Sequence, residues 1–421
     1  MDNATFASLS HAIERDDEDV VRQIISQGAI DINAKDEYSR SPLAHAAEKG
    51  YTSIVDILLE YGLFNINSKD NDGRTPLALA ASEGHEAVVK LLTLNDNIEV
   101  DSKDNDGRTS LALAASAGYE AIVKLLALHD NIDLNSKDND GRTPLALAAS
   151  AGYEAVVKIL AESGGTDEAD HYGRIPAALA ACEGHKSVLE YYISRGNLDL
   201  NISDKAGQTI LSLAGERGQD KIVEFLLEQE QDNIKIDIPD NHGQTALSIA
   251  AEQGHAGVVK LLLDSGKADA DSKDENDQTP LFNAAAAGHP KVVKQLIANR
   301  NVDINSVDRD GYTPLSQAAS NGHIDVVATL VMQERINLNA QNEDGRSALA
   351  LACLEGHEPV VRLLIRQAGI AIGVEDKVGK SPRQTALNKG YDSIITLFDE
   401  CNRSKERDVR KRKADEELTK N

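Results

Sequence analysis

The 421-residue chain has no tryptophan, only five phenylalanines and ten tyrosines. So few large rings argue against a thick core and for thin layers of Ala, Val and Leu. The three cysteines, Cys182, Cys353 and Cys401, are odd in number and far apart. That excludes a disulfide framework and points to a reducing compartment. No apolar run approaches the ~20 residues a membrane helix needs, and the acidic start, with Glu14, Asp16, Asp17, Glu18 and Asp19, does not read as a secretory signal. Positive charge is also scarce: 44 Lys+Arg face 69 Asp+Glu, a formal net charge of −25. Most of the surface would repel bare duplex DNA or an anionic membrane. The composition therefore predicts a soluble, acidic, intracellular protein, without direct nucleic-acid or membrane binding. The length exceeds the ~250–300 residues at which a single core stops growing, so several domains or a repetitive array are required.

Repetition is what the chain has in abundance. Lys-Asp-Asn-Asp-Gly-Arg-Thr occurs at 69–75, 103–109 and 137–143, a spacing of 34. Units open with Asp, once with Asn, at 36, 70, 104, 138, 170, 204, 240, 274, 308, 342 and 376. Eight of these ten spacings are 34 and the others are 32 and 36. With a half-unit before Asp36, about twelve units cover residues 1–401, and a charged tail fills 402–421.

The unit from Asp70 shows the physics of each. Asp70-Asn71-Asp72-Gly73 is a turn in which Gly73 supplies positive φ. Thr75 can cap a helix whose first residue is Pro76, where the missing N–H costs nothing. Leu77, Leu79, Ala80 and Ala81 give that helix an apolar face, and Gly84 ends it in the left-handed region. Val88, Val89, Leu91 and Leu92 form the inner face of a second helix. Asn97–Lys103 is expected to run extended to the next turn. Glycine fills the first turn in nine units and the interhelix turn in eleven, so 20 of the 30 glycines have a backbone reason and little is left for catalysis.

These residues resemble the ankyrin-repeat family. Its pattern, Asp-x-x-Gly-x-Thr-Pro-Leu, then Ala-Ala-x-x-Gly-His, then Val-Val-x-Leu-Leu, is visible at 70–92, 138–160, 240–262 and 308–330. The resemblance implies an all-α solenoid of helix–turn–helix units joined by β-hairpin-like loops. It also implies a concave face of turn tips and first helices that binds another protein. The family's His after Thr-Pro-Leu is absent, with Ala78, Ala112, Ala146, Phe282 and Ser316 in its place. A side-chain hydrogen-bond chain between units should be lost with it. Ile175 replaces a capping Thr and Asp277 a turn Gly. The short and long units, ending at Glu162–Gly165 and Gln229–Asn233, predict a local change of curvature between about 160 and 240.

Candidate functional residues divide into those the repeat explains and those it does not. Six histidines (85, 185, 255, 289, 323, 357) follow the interhelix Gly, one per unit. Packed helices stand ~8–10 Å apart, too far for two such rings to share one metal ion, so these read as structural. Cys182 has His185 nearby, but that His occupies the recurring turn slot, so no catalytic role is assigned. The turn carboxylates supply too few oxygens for calcium. No cofactor, metal or small-molecule substrate is expected.

The residue after the first-turn Gly is Arg74, Arg108, Arg142 and Arg174 in four successive units. Such a ladder could clamp an acidic or extended segment, or each Arg could pair with the Asp beside it. Units from 170 onward carry distinctive tips: His171 and Tyr172, Lys205, His242 with Gln244, Arg309 and Tyr312. Interface energy concentrates in Tyr and Arg, which makes Tyr172, Arg174 and Tyr312 the expected anchors. Residues 402–421 carry eight Lys+Arg and five Asp+Glu. Within them, Arg410-Lys411-Arg412-Lys413 reads either as a nuclear import signal or as a solvated helical extension.

The sequence thus predicts a non-catalytic scaffold or adaptor protein, cytoplasmic or nuclear. A nuclear regulator of a transcription or chromatin protein is the variant reading, and a hydrolase using Cys182 the rival from another class.

Overall fold

The computed structural model describes residues 3–27, 33–62, 64–229, 234–403 and 407. In the unit from Asp70, one buried carboxylate organises the turn. Asp70 Oδ1 accepts the N–H groups of Asp72 and Arg74 at 2.9 and 2.8 Å. The backbone closes around it, with Asp70 N–H donating to Arg74 O at 3.0 Å and Gly73 N–H to Asp70 O at 3.1 Å, Gly73 lying at φ +77°. Thr75 then caps the helix Pro76–Glu83 by accepting from Ala78 N–H, and Gly84 ends it at φ +83°. The second helix, Glu86–Thr93, buries Val88, Val89 and Leu92. Leu91 is only half-buried, so the inner face is narrower than expected.

The connection to the next unit differs from the sequence expectation. Asn97–Lys103 is not extended but folds into successive turns, with Ile98 N–H donating to Asn95 O and Ser102 N–H to Glu99 O. The cause is Asn95, whose Oδ1 accepts the N–H of Asn97 at 3.0 Å and pulls the chain into a turn as it leaves the helix. Among the described residues, β pairing is limited to isolated bridge positions, Gln341 with Ser347 antiparallel, and Ser203 and Thr209 around the turn from Asp204. The fold is all-α, of the ankyrin-repeat class.

The chain divides into two compact units, residues 1–206 and 207–421. Within the first, the helix Asn3–Glu14 packs on Pro42–Lys49, which begins a row continued by Pro76–Glu83, Ser110–Ala117, Pro144–Ala151 and Pro176–Cys182. Thr52–Glu60, Glu86–Thr93, Glu120–Ala127, Glu154–Ser163 and Lys186–Ser194 form a parallel row of second helices. Within the second unit the first helices run from Ile210–Glu216 to Pro382–Lys389 and the second helices from Asp220–Leu227 to Glu358–Ile365. Residues 392–403 are helical beyond them.

The core is the thin layer expected. Leu77, Ala80, Ala81, Val88, Val89 and Leu92 are fully buried, and so are their counterparts 34 and 68 positions on. Burying one such Val or Leu contributes about 1.5–3 kcal/mol. Because each layer meets only its neighbours, stability is a sum over adjacent interfaces.

Polar contacts repeat with the same register. Within each compact unit, turn tips donate a backbone N–H to the tip before them: Asn105 to Asp72 O, Asn139 to Asp106 O and His171 to Asp140 O in the first, at 2.8–2.9 Å. In the second unit Glu275 donates to His242 O, Arg309 to Asn276 O and Glu343 to Asp310 O, at 2.9–3.0 Å. A lysine ladder runs beside the first set, with Lys35, Lys69 and Lys103 Nζ donating to the backbone carbonyls of Lys69, Lys103 and Lys137 at 2.6–2.7 Å.

The departures from the family pattern resolve individually. Ile175 provides no side-chain cap to Pro176–Cys182. Asp277 takes φ +60° in the glycine slot, and Ser39 does the same in the first full unit. The hydrogen-bond chain expected to vanish with the family's His is partly rebuilt from hydroxyls. Thr245 Oγ1 lies 3.2 Å from both Ser248 Oγ and Ser272 Oγ, and Thr279 Oγ1 3.2 Å from Ser306 Oγ, joining helix caps to the loop that follows. In the short unit the helix Glu154–Ser163 is longer than Glu120–Ala127 and ends at Gly164, φ +109°. Thr166 N–H still reaches Asn135 Oδ1 at 2.8 Å, so shortening the loop preserves the contact to the preceding loop. The extra residues of the long unit, 230–233, lie outside the described residues.

Candidate functional site

The arginine ladder is paired within its own turns. Arg74 Nε lies 3.1 Å from Asp70 Oδ2 and Arg74 Nη2 2.7 Å from Asp72 Oδ2. Arg108 bridges Asp104 and Asp106 at 3.0 and 2.6 Å, and Arg142 bridges Asp138 and Asp140 at 2.9 Å each. Arg174 holds Asp170 at 2.9 Å. The inner carboxylates are nearly inaccessible while the guanidinium groups remain about one-third exposed. Of the two sequence readings, this geometry is the pairing one: the Nε and Nη2 groups of each guanidinium are engaged by its own turn.

Distinctive tips lie on both compact units. In the first, Tyr172 is 58% exposed, its N–H held by Asp170 Oδ1 at 2.9 Å. The Arg174 guanidinium sits 4.8 Å from the centre of its ring, an arrangement that orients both groups. His171 is exposed, and its ring lies against Gly141, where a Cβ would come within 2.4 Å of it. Its carbonyl accepts from Lys205 Nζ at 2.8 Å.

In the second unit His242 is exposed with its N–H on Asp240 Oδ1, and Gln244 Nε2 donates to Glu252 Oε2 at 2.8 Å. The Arg309 side chain is 64% exposed, with a long 3.8 Å ion pair to Asp277. Tyr312 is half-buried, its N–H on Asp308 Oδ1 at 2.7 Å. Burial pushes the Asp308 carboxyl above its ordinary range. Tyr312, in the slot that holds Arg elsewhere, offers it no charge.

Sequence reasoning missed one tip. Tyr38 is 56% exposed and carries the Arg40 guanidinium 4.8 Å from its ring centre, repeating the Tyr172–Arg174 arrangement. The signal was present, since Asp36-Glu37-Tyr38-Ser39-Arg40 shares its Asp, Tyr and Arg with Asp170-His171-Tyr172-Gly173-Arg174 at the same three positions. Ser39 in the glycine slot concealed it. Arg40 additionally pairs with Asp36 and Glu48.

The six turn histidines do structural work. His85, His185, His255, His289, His323 and His357 each place Nε2 at 2.8–2.9 Å from a backbone carbonyl of the preceding repeat. An acceptor of that kind requires Nε2 to carry the proton. Cys182 and Cys353 are buried, and burial pushes the Cys353 thiol up to about 12, far from the thiolate a nucleophile needs. Arg410, Lys411, Arg412 and Lys413 lie outside the described residues. No described helix is long and apolar enough to cross a membrane.

Models of ankyrin repeats in three copies match residues 9–104, 93–171, 177–274 and 256–342, and a single ankyrin-repeat model matches 344–377. The chain belongs to the ankyrin-repeat family, whose repeats generally mediate protein–protein interactions. Among solved structures it is similar to the ankyrin repeat domain of Bcl-3, described as a unique member of the IkappaB protein family. That match is 28% identical, covers 54% of this chain and 98% of the other, and has a TM-score of 0.47. No curated protein matches the chain.

Proposed function

We propose that the protein is a non-catalytic adaptor that grips a partner protein with its turn tips and first helices, the concave face of ankyrin arrays. One observation carries this reading. The backbones of these tips are held by the carboxylates of Asp170, Asp240 and Asp308, and those at 171 and 309 also by the preceding tip, so the exposed side chains Tyr172, His171, His242 and Arg309 are not needed to hold the fold. A surface displayed on a rigid backbone loses little entropy when it binds. Tyr172 with Arg174, and Tyr312 with Arg309, are the anchors on their respective units. Arg74, Arg108 and Arg142 contribute the exposed part of each guanidinium, and Gln244 its edge.

The mechanism is complementarity of shape and charge, without chemistry on the partner and without a cofactor. The net charge of −25 favours partners with basic contact surfaces. Affinity capture with the full chain, followed by mass spectrometry, identifies the partner. Tyr172→Ala and Tyr312→Ala then weaken it about tenfold or more, as hot-spot tyrosines do. Wild-type affinity of the double variant for every captured protein refutes the assignment.

The run Arg410-Lys411-Arg412-Lys413 supports a nuclear version of the same role. A fluorescent reporter fused to residues 400–421 enters nuclei on this reading, and exclusion from nuclei leaves the adaptor in the cytoplasm.

A further inference from the structure

A second slot recurs in the loop before each turn. At this position a side-chain oxygen accepts the backbone N–H of the residue 32 positions on. Asn67 accepts from Glu99, Asn305 from Asn337 and Asn339 from Ala371, at 2.7–3.0 Å. Asp101 Oδ2 accepts from Asp133 at 2.8 Å and Asp237 Oδ2 from Asp269 at 3.0 Å.

The two residue types differ at the other end of the side chain. Each of these asparagines donates Nδ2–H to the carbonyl 30 positions on, namely Asn97, Arg335 and Gly369, at 2.8–2.9 Å. An ionised aspartate has no hydrogen to give. Asp101 Oδ1 and Asp237 Oδ1 are accordingly buried without a hydrogen-bond partner among the described residues. The same register assigns the carbonyls of Asn131 and Lys267 to face them.

We propose that Asp101 and Asp237 are proton-operated links between successive loops. When neutral, each carboxyl donates its O–H to the facing carbonyl and completes the bond that asparagine makes permanently. When ionised, it leaves two acceptors opposed. The array is then looser at these two loops at neutral pH and tightens as these carboxyls take up their protons.

The surroundings agree with this assignment. Asp101 is faced by Asp133 and His129 from the following loop and by Lys103 on its own; Asp237 is faced by Asp269. Burial is the largest influence on both carboxyls and raises them, outweighing the N–H each accepts. A carboxyl raised on folding holds its proton more tightly in the folded chain. Its penalty is therefore complete above the folded-state value and is relieved as pH falls through that value. Asp271, with Asp269, Asp303 and Arg335 around it, shares the Asp303 N–H between both oxygens and leaves neither orphaned.

The test compares the full chain with Asp101→Asn/Asp237→Asn and with Asp96→Asn, a control that removes an exposed charge. Urea unfolding is followed near neutral pH and again about two pH units lower. The double variant unfolds at higher urea than wild type at neutral pH, and that gap narrows in acid. An equal gap at both pH values, or the same gain from Asp96→Asn, overturns the proposal. Carboxyl-carbon NMR of the wild-type chain tests it without any variant. Asp101 and Asp237 must titrate above exposed Asp96 and Asp130, and titration together with them overturns it.

Discussion

The units opening at Asp104 and Asp308 share one backbone turn and lock it differently. In the first, the Asp104 carboxylate accepts the N–H groups of Asp106 and Arg108 with one oxygen and takes the Arg108 guanidinium on the other. In the second, Asp308 accepts the N–H groups of Asp310 and Tyr312 in the same way but has tyrosine where the guanidinium would be. Asn342 holds its turn with an amide oxygen in the same role. The two N–H bonds therefore suffice to make the turn. The arginine is a local addition that neutralises the inner carboxylate, and where it is missing the slot can take a residue such as Tyr312 or Gln244 without losing the turn.

This contrast can be broken most forcefully at the carboxylate. Asp104→Ala removes the acceptor of two turn N–H groups and the inner partner of the Arg108 guanidinium, and costs about 3 kcal/mol. Asp240→Ala, where Gln244 replaces the arginine, costs about 1 kcal/mol. Urea unfolding of the two variants measures the difference, and equal losses would dissolve the distinction.

Asparagine sharpens the comparison. Asp104→Asn keeps both N–H bonds but leaves Arg108 only its pair with Asp106, and lowers stability by about 1–2 kcal/mol. Asp308→Asn goes the other way and raises stability slightly at neutral pH. Burial lifts the Asp308 carboxyl above its ordinary 3.8, so the folded chain holds that proton more tightly than the unfolded one. The penalty is complete above the folded-state value and fades as pH falls through it toward 3.8, so the gain from Asp308→Asn fades in acid too.

A smaller effect is expected at Ile175, which stands in the capping position without a side-chain acceptor. Ile175→Thr restores the cap and adds about 1 kcal/mol, visible as a higher unfolding midpoint. Smallest of all, Tyr172→Ala changes stability by less than about 0.5 kcal/mol while removing a binding anchor. A large loss of stability would show that this ring holds the fold together.

The helices, their caps and their buried residues were legible because each is set by residues a few positions apart. Thr75, Pro76 and Gly84 declare a helix by themselves. What could not be read locally depends on a neighbour one repeat away. The hydroxyl pair Thr245–Ser272 and the histidine-to-carbonyl bonds each need a register that only stacking supplies. Asn97–Lys103 was misread as extended because its turns are set by Asn95, a residue just past the helix end and outside the stretch itself. At the candidate site, the exposed rings were legible from tyrosines in tip slots, except for Tyr38, hidden by Ser39. Whether the arginines would clamp a partner or pair at home turned on distances of about 3 Å, below what a sequence resolves.

Hydrogen exchange on the full chain, alone and with its captured partner, tests the central claim most directly. The account predicts new protection at the tips 171–174 and 309–312, with exchange in the second helices Lys186–Ser194 and Ile324–Val331 unchanged. Protection confined to those second helices, with the tips unaltered, would contradict it.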